Sequence, residues 1–248
     1  MEWSDEAIVL NVRPYGETSG ILDALTRLHG RHAGLVRGGA SSKGRAVLQS
    51  GNRVKVTWRA RLPENLGVFT VELMQARAGE MFEERAALVG LNALSAIAAA
   101  VLPEREPHQA AFESADALLN AMAGHSFAEW APLFVRWEAG LLNELGFGLD
   151  LARCASTGSP DDLIYVSPRT GRAVSRSAGE PYRDRLLALP QFLLGRQAGE
   201  AKVKDILAGL ELTAHFLDHW VLSPHDKKMP DARHRLTQLA ARAAPESA

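Results

Sequence analysis

The sequence predicts an α+β protein with a small β-structured part over residues 1–78 and a helical part over 79–248. Three observations predict it. Short apolar, β-branched runs parted by glycine-containing turns fill the first part, as strands and their turns do. Past Gly79, apolar residues instead recur three and four apart, the period of a buried helix face. Charge divides the chain as well: the net is +4 over residues 1–78, −8 over 79–150 and +3 over 151–248, in a chain of 248 residues whose overall charge is −1. Such segregation is expected of separate surfaces with separate partners.

Bulk composition narrows the class. At 46% hydrophobic and 23% charged residues the chain has the balance of a globular protein with a real core. No apolar run approaches the roughly 18 residues of a membrane span. The opening MEWSDEAIVL lacks the basic and long apolar regions of a secretory signal. The single cysteine, Cys154, excludes an intramolecular disulfide, and a cytoplasmic address is expected.

The strands are read in order. Residues 7–13 (AIVLNVR) form the first, closed by Pro14-Tyr15-Gly16. Ile21–Leu28 fits a strand or a short helix; the Gly30 turn and the β-like Ala33–Val36 that follow favour a hairpin. Arg37 to Lys43-Gly44-Arg45 reads as a flexible Gly/Ser loop with cations at both ends, matching neither the P-loop nor the dinucleotide pattern. Asn52–Arg61 alternates with period two, Val54, Val56 and Trp58 on one face and a basic outer face opposite, and Gly67–Ala76 is a second such run. About five short strands in so few residues imply a closed or nearly closed barrel, and the five-stranded OB type fits the size.

The helices follow. Ala87 to Val101, ended by Pro103, is the first, Phe112 to Met122 the second, and Leu133 to Leu145, stopped by Gly146, the third. Ser126 and Glu129 have capping-box spacing, with Pro132 leaving the start of that helix open. These stripes are expected to be seams of a helical bundle. Residues 148–182, rich in Gly, Pro, Ser and Asp, form an irregular module. A helix returns from Val203 to Val221, and Pro224 closes it. Lys227, Lys228, Arg233 and Arg235 then read as a solvated basic segment, with extension of a nucleic-acid track as the other reading, and the final AAPESA as disordered.

No catalytic constellation emerges, and an enzyme is not expected. His215 and His219, four apart on a helix, have metal-ligand spacing, but Phe216 stands where a zinc protease needs Glu, and packing beside Leu217 and Trp220 is the other reading for one of them. Cys154 has no paired Cys or nearby His, Asp161-Asp162 diverge in a turn, and there is no Gly-x-Ser-x-Gly elbow. What stands out is charge. From Ala24 to Pro63 the chain carries nine Lys and Arg and no Asp or Glu. A one-signed field of this kind is the footprint of a polyanion site, unless the fold supplies counter-acids from elsewhere.

The stretches VLNVRPYGETSGILDALTRLHGRHAGLVRGGASSKGR, LLNELGFGLDLARC and DLIYVSPRTGRAVS resemble the bacterial recombination mediator RecO, over nearly the whole chain. The resemblance implies an N-terminal OB domain and a C-terminal helical domain. It implies binding of single- and double-stranded DNA, annealing of complementary strands and, with RecR, loading of RecA onto DNA coated by single-strand-binding protein, in a cytoplasmic, nucleoid-associated setting. Many relatives carry a four-cysteine zinc-ribbon-like module. Here Cys154 keeps the first ligand position while Thr157, Ser175 and Ala178 stand at the others, so no zinc and no other cofactor is expected, the degenerate module being held by Leu163, Tyr165 and Val174.

With DNA as the polyanion, Arg13, Arg27, Arg31, Arg37, Lys43, Arg45, Arg59 and Arg61 are the expected phosphate contacts. Trp58 or Tyr15 offers a stacking face, with barrel core as the other reading of either ring. Arg136, with Phe134 and Trp137 in FVRWE, suits the acidic tail of single-strand-binding protein, unless Arg136 only pairs with a neighbouring Glu. An RNA- or tRNA-binding OB protein with a helical assembly domain is the rival reading, and a hydrolase using the His215/His219 region a third.

Overall fold

The computed structural model describes residues 1–81, 84–195 and 201–243, so the expectation for the last residues lies outside them apart from Ala243. The chain forms two compact units, Met1–Gly124 and His125–Ala248. The change from strand to helix near residue 78 therefore falls inside the first unit.

Five strands open that unit: β1 (Glu2–Tyr15), β2 (Ser19–Thr26), β3 (Arg31–Val36), β4 (Arg53–Arg59) and β5 (Val68–Gln75), with the short helix α1 (Ser42–Val47) between β3 and β4. They close into a barrel of order β1-β2-β3-β5-β4, in which β1 pairs with both β2 and β4. Closure between β3 and β5 is parallel and rests on one pair, Leu35 with Val68. Period-two burial builds the interior: Ala7, Val9, Leu22, Ala24, Val54, Val56, Trp58 and Phe69 form one cluster. Burying each larger side chain of this kind contributes about 1.5–3 kcal/mol. The segment Ile21–Leu28, open between strand and helix by pattern, is strand through Thr26. β1 is longer than its apolar run because Trp3 and Asp5 also turn inward; Asp5 accepts from the Leu28 amide at 2.7 Å and from His29 Nδ1 at 2.9 Å, pinning the β2–β3 turn.

Three helices complete the unit: α2 (Ala78–Met81), α3 (Arg85–Val101) and α4 (Gln109–Gly124). α4 belongs with the barrel for an electrostatic reason. Arg77 is fully buried and donates to Asp116 Oδ1 at 2.6 Å and Asn120 Oδ1 at 2.8 Å. Arg53 donates to Asp116 Oδ2 at 3.0 Å and also pairs with Glu6. A buried guanidinium without such partners would be far too costly to keep. Arg105, whose φ of 64° is unusual for a side-chain-bearing residue, turns its guanidinium onto the carbonyls of Pro63, Glu64 and Asn65 and pins the β4–β5 loop.

The second unit opens with α5 (Phe127–Glu144). Its capping box is complete, Glu129 accepting from the Ser126 amide at 2.8 Å, so the helix starts before Pro132 and carries that proline inside its first turns. Residues 148–182, expected to be irregular, contribute to a three-stranded antiparallel sheet of order β7-β6-β8, from β6 (Leu163–Val166), β7 (Ala173–Ser175) and β8 (Leu187–Ala188), with the one-turn helix α6 (Arg176–Gly179) after β7. α7 (Val203–Phe216) continues into a wider π-type turn over Leu217–Leu222, and α8 (Asp231–Ala243) closes the unit.

α8 corrects the reading of Arg233 as solvated. Arg233 is 1% exposed and grips Glu138, itself fully buried on α5, at 2.6 and 2.8 Å. Thr213 on α7 donates to the same carboxylate at 2.5 Å, and Arg233 also reaches the Leu210 carbonyl at 2.8 Å. Three helices thus share one satisfied ionic knot. No helix among the described residues is long and apolar enough to cross a membrane.

Candidate nucleic-acid interface

The acid-free stretch meets counter-acids unevenly. Arg27 pairs with Glu113 at 3.0 Å, Arg31 with Asp23 at 2.8 Å and Glu104 at 3.4 Å, and Arg59 with Glu2 at 2.7 Å. Burial holds the Asp23 carboxyl above its usual range, opposed by the charge and hydrogen bond of Arg31. Arg13, Arg37, Lys43, Arg45 and Arg61 are exposed and make no ion pair among the described residues.

Strand register sorts the eight expected contacts into two ends of the barrel. Glu2 lies opposite Arg59, and the Arg27 amide donates to the Glu6 carbonyl, so Arg27, Arg59 and Arg61 belong to the end where β1 begins, while Arg31 reaches along β2 to Asp23, a carboxyl that also feels the charge of Arg13. Arg13 lies near the far end of β1, where Gly20 faces Val36, and Arg37, Lys43 and Arg45 follow β3 at that same end. About 35 Å of strand separates Glu2 from Arg13 at the usual rise. One surface does not hold all eight. Paired cations gather at one end, and all four at the other are unpaired.

The Arg37–Arg45 segment is not a flexible loop. Gly38 takes a φ of 70°, and the Ser41 hydroxyl donates to the Gly38 carbonyl at 2.7 Å while accepting from the Gly44 amide at 3.0 Å, capping α1. A Cβ at Gly44 would stand 2.4 Å from the Gly38 carbonyl oxygen, so glycine is required here for backbone to meet backbone. The Ala40 amide donates to the Thr18 carbonyl at 3.0 Å and docks the segment on the β1–β2 turn.

Two grooves flank it. A groove of about 520 Å³ runs between Arg37, Lys43, Gly44 and Val47 on one side and Val68 to Val71 of β5 on the other. A second, of about 400 Å³, lies between Arg45, Leu48 and Gln49 and the β1–β2 residues Asn11, Val12, Pro14 and Ser19.

The aromatic candidates separate as well. Trp58 is 2% exposed, its Nε1 donating to the Leu66 carbonyl at 3.0 Å, and it packs on Trp3 and His32. It is core and offers no stacking face. Tyr15, 58% exposed, stands at the end of β1 that carries the unpaired cations. Phe134 and Trp137 are 0% and 2% exposed, so FVRWE presents no aromatic surface; Arg136 is exposed and donates twice to the Phe192 carbonyl, at 2.7 and 3.2 Å, rather than to a neighbouring Glu.

The residues considered for metal or catalysis are occupied otherwise. His215 Nε2 meets the Pro168 carbonyl at 3.1 Å and His219 Nδ1 the His215 carbonyl at 2.8 Å. Among the described residues no three His, Cys, Asp or Glu side chains gather as metal ligands. Around the buried Cys154, Ser175 donates from its amide and hydroxyl at 3.3 and 3.4 Å. Burial pushes the thiol up, but the hydrogen bonds from Ser175 and Thr157 outweigh it and bring it down to about 6. Thr157 and Ser175 thus both serve as hydrogen-bond donors to the Cys154 sulfur.

Two family models match the chain, and the boundary between them falls inside the first compact unit. The family model described as recombination protein O N terminal matches residues 1–77, and that described as recombination protein O C terminal matches residues 83–229. Proteins named DNA repair protein RecO are similar along nearly their whole length. That of Rhodospirillum centenum is 54% identical over 237 residues, covering 95% of this chain and 93% of its own. That of Phenylobacterium zucineum is 52% identical over 233 residues, covering 94% and 95%. That of Cereibacter sphaeroides is 49% identical over 245 residues, covering 98% and 100%.

Proposed function

The chain belongs to the RecO family, and on that premise we propose that it acts in DNA repair by binding single- and double-stranded DNA and annealing complementary strands. In this reading it works with RecR to promote RecA loading on DNA coated by single-strand-binding protein, as a nucleoid-associated cytoplasmic protein that binds and does not catalyse. The observation that carries it is the set of exposed, unpaired cations Arg13, Arg37, Lys43 and Arg45 at one end of the barrel, beside two grooves. Cations held in no direct ion pair release condensed counterions from DNA without first breaking one. Arg27, Arg31 and Arg59 must first give up a carboxylate, and so contribute less. Arg61 is unpaired and adds a separate phosphate contact at the other end.

Annealing follows from screening: two strands neutralised on one surface approach each other without full repulsion. Tyr15 supplies a base-stacking face there. The acidic tail of single-strand-binding protein is assigned to Arg136, whose Nη1 is left free by the Phe192 carbonyl, with an apolar anchor other than Phe134 and Trp137.

The test is annealing of complementary DNA coated with single-strand-binding protein. Arg37→Ala/Lys43→Ala/Arg45→Ala is expected to lose most of the wild-type rate, and Arg27→Ala/Arg59→Ala to keep most of it. Salt-independent oligonucleotide binding by the wild type would refute the reading. RNA strands run alongside decide between it and an RNA-binding role.

A further inference from the structure

The α1 segment faces two ways. At 100° per residue, Lys43 and Val47 fall on one side of the helix and Arg45 nearly opposite, with Gln49 just past the helix end. The grooves follow that division: Lys43, Gly44 and Val47 line the one against β5, while Arg45 and Gln49 line the one against β1 and β2. The wall between them is thin and stiff. It consists of Gly38, Gly39 and α1, held by the Ser41 cap, by the close backbone approach at Gly44 and by the Ala40–Thr18 hydrogen bond. Both grooves are within the roughly 300–1,000 Å³ of small-ligand sites, enough to accept bases and not a duplex. They also differ in character. One carries two cations, Arg37 and Lys43, over an apolar β5 wall; the other carries Arg45 with the neutral hydrogen-bonding groups of Asn11, Ser19 and Gln49.

We infer that α1 is a partition between two single-strand tracks, so that one chain holds both partners of an annealing reaction at once. The inference rests on the DNA-binding reading above. The Arg37/Lys43 groove holds the first strand firmly through two phosphate contacts. The Arg45 groove holds the complementary strand through one phosphate contact and exchangeable hydrogen bonds, so that strand slides in search of register. Pairing begins past the rim of the wall, and the duplex, too wide for either groove, leaves both. The asymmetry matters, since two tight tracks would trap mismatched strands.

The experiment counts strands and times their union, using the full chain and a labelled oligothymidylate of about eight nucleotides, within the 4–16 that one OB barrel covers. At low salt the wild type is expected to bind two oligonucleotides per chain, one tightly and one weakly. Arg45→Ala is expected to lose only the weak event, to keep the tight affinity within about twofold, and to anneal about tenfold more slowly; Arg45→Lys restores the rate. Arg37→Ala/Lys43→Ala is expected to lose the tight event and about 1.4 from its log–log salt slope, at 0.7 per single-strand contact. All three side chains are exposed, so the variants keep the fold, which circular dichroism checks. A wild-type stoichiometry of one with salt-dependent binding overturns the two-track inference and leaves the DNA-binding reading standing. So does an Arg45→Ala variant whose annealing falls only in step with its tight affinity. Absence of salt-dependent binding in the wild type overturns both.

Discussion

His32 shows how burial acts on one titratable ring. It is 4% exposed among Trp3, Trp58 and Phe69, and burial holds its pKa below the ordinary 6.5, opposed in part by the Ala33 carbonyl at its Nδ1. As pH falls through 6.5 the unfolded chain takes up a proton that the folded one resists, so stability is lost on acidification and kept above it. The urea midpoint of the wild type is therefore expected to drop more steeply from about pH 7 to about pH 5 than that of His32→Asn. The Cys154 pKa is lowered as well, but in favour of its charged form: its thiolate is stabilised by hydrogen bonds and not by a cation. The thiolate ultraviolet absorbance of the native protein is expected to titrate near 6, and Ser175→Ala to bring it back toward 9.0. An unchanged midpoint in that variant would remove Ser175 from the account. Neither environment was legible in the sequence. An isolated His or Cys carries no mark of its neighbours, and Ser175 lies 21 residues from the sulfur it serves.

At the scale of elements, α1 is the piece that composition misreads. Gly38-Gly39-Ala40-Ser41-Ser42-Lys43-Gly44 has the make-up of a flexible loop, but Gly38 supplies a positive φ, Gly39 and Gly44 serve close approach, and Ser41 caps the helix. Gly44→Ala forces a Cβ against a backbone oxygen, so the wall must shift. We expect it to cost about 1–3 kcal/mol by urea unfolding, within the usual range for such strain, and to weaken oligonucleotide binding although no cation is removed. The strands were legible because one buried face enforces period two, and the first helices because their stripes are apolar. α8 was not, because one of its three buried positions is Arg233, with Leu236 and Ala240 following at helical spacing. Pattern reading treats a charge as a solvent marker, and only the three-dimensional partner, Glu138, 95 residues away, reverses that.

Across the whole molecule, charge and burial divide the labour between two units. The first concentrates unpaired cations around a stiff wall; the second is organised around Glu138, Arg233 and Thr213. Arg233→Ala leaves a buried carboxylate uncompensated and is expected to destabilise the second unit by about 3–5 kcal/mol, whereas Glu138→Leu/Arg233→Met is expected to recover most of that. Limited proteolysis separates the outcomes: the single variant is expected to be cut first within residues 125–243, and the double variant to resist. The basic stretch as a signal was legible from the sequence; its division was not. Which cations are neutralised depends on acids in β1, β2 and α4 and in the segment between α3 and α4, which no reading of residues 24–63 supplies.

The single Leu35–Val68 pair that closes the barrel makes one seam much weaker than the rest, since every other strand pair has at least six matched positions. Past that pair, β5 runs on with Thr70, Glu72, Leu73 and Met74 exposed. A lone rung beside exposed apolar side chains is where a barrel is most open to a strand from another molecule. The same segment that walls the proposed tracks stands beside β5 near this seam, across the groove lined by Val68 to Val71, and Glu72 places an exposed carboxylate on the strand. Changes made there to alter the proposed tracks are therefore expected to alter self-association as well.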